Sequence, residues 1–208
     1  LFILVVGVTL FAGTQIEARH RVQSDESVFL SLAQNMFHNH VSGTCNQGEF
    51  EQGQLKCYVN SNSFKTKGLS YLYFLGIGLF GTDLHWAFNA QLFALALTTL
   101  LFFFALLAWT RSPSFSLLAT ALLVLQPTLL FQFRSLSVEP LYILLFSLSL
   151  LLVRFAFEYN TWKHWVFAAL VLAFFAQTRQ ETVFCLLAFF ILSFPKLLDS
   201  KDIKAPLF

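Results

Sequence analysis

LHWAFNAQLFALALTTLLFFFALLAWT, running from Leu84 to Thr110, decides the fold. No Asp, Glu, Lys or Arg interrupts it. At the helical rise of about 1.5 Å per residue it is long enough to cross the hydrocarbon core of a bilayer, about 30 Å thick. Trp86 and Trp109 stand near its two ends, about 35 Å apart along a helix, as expected for aromatic side chains at the two membrane surfaces. The stretch is read as a transmembrane helix, and it sets the register for its neighbours.

Toward the C-terminus, the turn Thr110-Arg111-Ser112-Pro113 leads to an apolar run from Phe115 to Phe133, read as a span kinked at Pro127. The tight polar connection Arg134 to Pro140 then opens a further span ending near Arg154. After a charged loop from Glu158 to His164 come two short apolar runs, Trp165 to Ala176 and Thr182 to Phe194, joined by Gln177-Thr178-Arg179-Gln180-Glu181. Toward the N-terminus, Leu69 to Phe80 is apolar and aromatic, but short and interrupted by Gly76 and Gly78. It predicts a juxtamembrane helix, 69–81, lying in the interface. Before it, Gln15 to Lys67 is the one sizeable polar segment, with a surface helix at Ser27 to Phe37 and a Gly, Asn and Gln-rich loop from Asn39 to Ser63. The apolar run ending near Ala12 is read as a first transmembrane helix. As a signal peptide it would have no positive n-region, and Gly13-Thr14-Gln15 is a poor cleavage sequence.

The expected fold is therefore an all-α polytopic membrane protein, with about six transmembrane helices plus a long first extracytoplasmic loop, 15–67, carrying juxtamembrane helices. Residues 1–208 form a single transmembrane domain. Leu1 opens inside an apolar run, and Pro206-Leu207-Phe208 reads as the threshold of another, so the chain is expected to be the N-terminal part of a longer one. Composition agrees. Of 208 residues 57% are hydrophobic, with Phe 27 times, and the mean hydropathy of +0.67 exceeds what a soluble core requires. With 12% charged residues and a net charge of +2, the chain has no basic field for nucleic acid.

Orientation follows from the short loops. Arg111, Arg154, Lys163, Lys196, Lys201 and Lys204 fall on one side, whereas the other carries only Arg134 and Arg179, each with an acid nearby. The positive-inside rule puts the first set in the cytoplasm. The Asp25 loop, the Arg134 to Glu139 turn and the Arg179 to Glu181 bridge then face periplasm, cell exterior or endoplasmic reticulum lumen.

On that outer side, Arg21-Val22-Gln23-Ser24-Asp25-Glu26-Ser27 sets two carboxylates at the start of an amphipathic run. With Ser24 as N-cap, Asp25 and Glu26 occupy the first turn, where the helix dipole favours ionised acids. Acids there commonly do no more than stabilise the helix. Arg134 with Glu139 and Arg179 with Glu181 could likewise be mutual neutralisation. The functional alternative is a site, because Lys and Arg at a membrane boundary suit a lipid-linked phosphate while its tail stays in hydrocarbon. Cys45 and Cys57 flank the polar loop and could pair; Cys185 lies in an apolar run. His20, His38 and His40 show no ligand spacing, and the residues call for no cofactor, while a divalent metal stays open.

The order of an apolar helix, Asp25-Glu26 opening a long outer loop, Lys67 to Tyr73 before a Leu-Phe-Gly, Arg134 to Glu139-Pro140, and Thr178 to Glu181 resembles the N-terminal half of the GT-C glycosyltransferases. Within these it is most similar to protein O-mannosyltransferases and lipid A aminoarabinose transferases. The resemblance implies transfer of a sugar from a polyprenyl-phosphate donor (dolichyl or undecaprenyl type) to a protein, lipid or glycan acceptor, with inversion at the anomeric carbon. It implies Asp25 as general base with Glu26 as its neighbour, and Lys67, or Lys65 beside it, on the donor phosphate. It places Arg134, Glu139 and Arg179 at the substrate. The family often has a proline near that lysine, where Gly68-Leu69 stand here. Two other classes stay open. In a transporter or channel the same charges would line a substrate path, and a non-catalytic assembly protein would use them structurally.

Overall fold

The computed structural model describes residues 1–14, 24–38, 40, 43–51, 54–60, 67–83 and 85–199, with side chains outside the description at 24–27, 44–51, 54–60 and 192–199. At its centre are α4 (His85–Thr110) and α7 (Glu139–Tyr159), the two helices among the described residues that are long and apolar enough to cross a bilayer. They touch at both ends. Gln91 Nε2 donates to the Ser137 carbonyl at 3.3 Å where α7 is about to begin. Toward the far end Trp109 Nε1 donates to Leu150 O and Arg154 Nε to Ala108 O, each at 3.0 Å. The two therefore run in the same direction.

Parallel neighbours require a return path, and α5 (Pro113–Val124) with α6 (Pro127–Gln132) supplies it. Ser112 caps α5 by accepting from the Phe115 amide, and Pro113 occupies the first turn, where its missing N–H is no loss. Before Pro127 the backbone of Gln126 is extended, at φ −62° and ψ 121°. A residue preceding proline is pushed out of the helical region, so the expected kink in a single span is a full break between two helices. Two further helices, α8 (Trp162–Ala176) and α9 (Thr182–Asp199), follow, and α1 (Phe2–Thr14) packs on α4. Val8 and Ala12 of α1 are buried with Leu95, Val124, Leu129, Leu130 and Phe133.

The packing is inverted relative to a soluble domain. Thr98, Thr99, Ser116, Thr120, Ser147 and Ser149 are buried between helices, whereas Phe93, Phe104, Leu122, Phe167, Leu170 and Phe190 point outward. Small hydroxyl residues let helices approach in lipid, and a continuous apolar exterior has no place in water. Most of these hydroxyls bond back one turn, as Thr120 Oγ1 does to Ser116 O at 2.7 Å.

By length and composition α4 and α7 are candidate spans, while α1, α3 (Gly68–Phe80), α5, α8 and residues 182–191 of α9 are apolar but short. Two expectations need correction. The stretch expected as loop from Asn39 to Ser63 contains an antiparallel hairpin, β1 (Thr44–Glu51) with β2 (Gln54–Asn60), so the described chain is not purely helical. Aromatic and branched residues such as Phe50, Tyr58 and Val59 favour that conformation despite the polar composition. Its register opposes Cys45 to Val59 and Cys57 to Gly48, so the two cysteines are not cross-strand partners. Finally, most of the expected loop at Glu158 to His164 is helical. Asn160, in the left-handed region at φ 43°, ends α7, and Thr161 precedes α8.

Candidate functional site

Two helices outside the central pair cover one end of the bundle. The first is α2 (Ser24–His38), which buries Phe29, Leu30, Leu32 and Ala33. The second is α3 (Gly68–Phe80), the expected juxtamembrane helix, which buries Leu69, Tyr73 and Ile77 at successive turns. Phe37, near the end of α2, meets the Phe74 ring edge-on at 6.1 Å and lies 3.3 Å from where a Cβ on Gly78 would be. Both contacts are made by the C-terminal end of α2, against the middle and second half of α3. Asp25 and Glu26 stand in the first turn of α2. The side chains of the two acids lie outside the described residues, as does all of Lys65.

The start of α3 is fixed to the bundle by its backbone. The Gly68 amide donates to Gln177 O at 2.9 Å. A Cβ on Gly68 would stand 2.8 Å from that oxygen and 3.2 Å from Thr178 Cγ2. One turn on, Tyr73 Oη donates to Leu136 O at 2.9 Å, and Gln91 approaches both Tyr73 Oη and Ser137 O. These buried polar contacts draw 67–73, 133–138 and 177–181 together at one end of the bundle. Sequence reading placed those segments on one side, but it missed Gly68, Tyr73 and Gln91 as the groups that join them. The glutamine was the available clue, since an amide within an apolar span needs partners.

Arg179 is the charged centre of that end. Its Nη1 donates to Glu139 Oε1 at 3.0 Å, its Nε to Glu181 Oε2 at 3.2 Å and its Nη2 to Glu181 Oε1 at 3.4 Å. All three nitrogens are thus committed to carboxylates, and the group of three carries one net negative charge. The guanidinium also lies 5.8 Å from the centroid of the Tyr142 ring, whose hydroxyl is 3.2 Å from Cys185 Sγ. Burial alone would disfavour the charged guanidinium, but the hydrogen bond and charge of Glu181, then the charge of Glu139, raise its pKa. A bond to its own backbone amide and the pairing with Arg179 lower that of the Glu181 carboxyl.

Arg134 does something different. Its Nη1 donates to Ala12 O at 2.6 Å and Gly13 O at 2.7 Å, closing the C-terminal end of α1. A helix C-terminus carries unsatisfied carbonyls and partial negative charge, and an arginine satisfies both. The expected Arg134 to Glu139 pairing is not found; among the described residues Arg134 makes no ion pair, and Glu139 is held by Arg179. His38 ends α2, and among the described residues no three His, Cys, Asp or Glu side chains are placed to hold a metal. Beyond these contacts, the family model described as Predicted membrane protein (DUF2142) matches residues 15–206. No curated protein and no solved structure matches the chain.

Proposed function

The chain belongs to the family of predicted membrane proteins DUF2142, and from that premise we propose that it is a glycosyltransferase using a polyprenyl-phosphate sugar. One observation carries the reading. The start of α3 at Lys67, Glu139 at the head of α7 and the Arg179 bridge share the end of a bundle whose sides are apolar, and α2, whose first turn carries Asp25 and Glu26, packs on α3. A lipid-linked donor needs such a boundary, with its chain in hydrocarbon and its phosphate beside fixed charges. Phosphate is already a competent leaving group, so a base for the acceptor and a cation for the departing oxygens suffice. Asp25 is the base, ionised under the dipole of α2, and Glu26 is its neighbour. Direct attack by the acceptor inverts the anomeric carbon, since no second carboxylate acts as nucleophile.

The cation contacts narrow. Lys67, at the mouth of α3, faces the donor phosphate, with Lys65 near it in sequence. Arg179 is a positioning residue: it ties α7 to the 177–181 bridge and with it the seat of Gly68. Arg134, engaged at α1, lies outside the donor site in this reading. The end that carries Asp25 faces the periplasm, cell exterior or endoplasmic reticulum lumen, on the strength of the basic residues at the opposite end.

The test uses full-length protein in proteoliposomes, supplied with labelled polyprenyl-phosphate sugars or with nucleotide sugars. Transfer from the lipid-linked donor alone is expected, and Lys67→Gln should weaken retention of that donor about tenfold, the loss of one charge-assisted contact. Transfer from nucleotide sugar alone, or substrate flux without transfer, would contradict the reading.

A further inference from the structure

We propose that the groove between α1 and the α5–α6 break holds one acyl chain of an anionic phospholipid whose headgroup phosphate sits at Arg134. The groove encloses about 470 Å³ and is lined by Phe11, Leu125, Pro127, Leu130 and Phe131. Leu130 is buried and forms the floor, while Phe11, Leu125 and Phe131 are about half exposed and form the walls. It owes its existence to Pro127. The extended residue before the proline separates α5 from α6 and leaves a gap in what would otherwise be a continuous helix surface.

A hydrocarbon-lined notch on the outside of a membrane bundle faces acyl chains, and what singles this one out is its charged end. The Arg134 amide donates to Phe131 O at 3.1 Å, and its side chain reaches Ala12 and Gly13, next in sequence to Phe11. Arg134 thus stands beside two walls of the groove. Only Nη1 is engaged there, by neutral carbonyls, and no carboxylate among the described residues balances the charge. A cation held at the membrane boundary favours an anion, and the guanidinium fork fits phosphate oxygens. The volume falls in the range of a small-ligand pocket, which suits one acyl chain rather than a long polyprenyl chain. This assignment is independent of the glycosyltransferase reading, which uses neither the groove nor Arg134.

The test is photolabelling of the full-length protein in phosphatidylcholine nanodiscs. Trace phosphatidylglycerol or phosphatidylcholine carries a diazirine on one acyl chain, and labelled peptides are mapped. The phosphatidylglycerol probe should label the Phe11 and Leu125 to Phe131 peptides about tenfold more than the phosphatidylcholine probe, the difference expected of one charge-assisted contact. Arg134→Gln should bring the two probes level. Leu125→Trp, at an exposed wall with Arg134 intact, should reduce labelling from both and covers the case in which Arg134→Gln fails to insert. Equal labelling by the two headgroups in the unaltered protein would overturn the proposal. So would an unchanged preference in Arg134→Gln, or a diazirine polyprenyl phosphate that labels the groove in preference to phosphatidylglycerol.

Discussion

Arg134 and Arg179 look alike in sequence, each a few residues from a glutamate, yet one closes a helix end and the other bridges two carboxylates. The difference was not legible because it depends on partners 122 and 40 residues away. Local spacing suggested Arg134 with Glu139 and Arg179 with Glu181; only the second pair forms, and Arg179 then takes Glu139 as well. Replacing Arg179 by Gln leaves Glu139, half buried, without its cation. Because the pair is about a third exposed, the expected loss is about 1 kcal/mol by thermal unfolding in detergent, and Arg179→Lys should recover only part of it, since ammonium cannot reproduce the fork. The pH dependence has a definite sign. The folded-state pKa of Glu181 is lowered, so its contribution is present above the unfolded value of about 4.3 and is lost as pH falls through the lower folded value. Stability measured against Glu181→Gln should therefore differ by a constant amount from pH 5 to 8, and the gap should close below about pH 4.

At the scale of elements, the seat of α3 on the 177–181 bridge is the contact on which the candidate site depends. Gly68→Ala would put a methyl 2.8 Å from the Gln177 carbonyl oxygen, closer than carbon and oxygen pack. The hydrogen bond from the Gly68 amide to the Gln177 carbonyl should open, seen as faster hydrogen exchange at 68–73, with α4 and α7 unchanged. Unaltered exchange would show that α3 is held by its apolar face alone. Much of this level could be read in the chain. Apolar runs gave α4 and α3 within a residue or two, whereas α7 runs on to Tyr159, past the expected end near Arg154. Ser24 is the first residue of α2 rather than the cap before it, with Asp25 and Glu26 in the first turn. Pro127 marked a weak point, but its severity depends on how the two halves pack. The hairpin at 44–60 escaped because its polar composition hides a strand pattern.

For the whole molecule, the alternation of segments between the two ends of the bundle follows the order of the chain. The Gly68 to Gln177, Tyr73 to Leu136 and Gln91 to Ser137 contacts mark one end, and Trp109 to Leu150 and Arg154 to Ala108 mark a level toward the other. Which end faces out is the proposal drawn from the basic residues. Single cysteines at Asn60 and Asn160, on a background without native cysteines, should divide: an impermeant thiol reagent should label the first in intact cells and the second only after lysis. Labelling of Asn160 alone would invert the topology and move the site to the cytoplasm. The central claim is that Asp25 activates the acceptor. Successive helical side chains point about 100° apart, so Asp25 and Glu26 cannot serve one acceptor equally. The direct measurement is the rate of sugar transfer from a polyprenyl-phosphate donor by full-length wild-type, Asp25→Asn and Glu26→Gln proteins with matched donor binding. Asp25→Asn should lower the rate by about 100-fold to 10,000-fold, and Glu26→Gln by less; transfer by Asp25→Asn at a near wild-type rate would contradict the account.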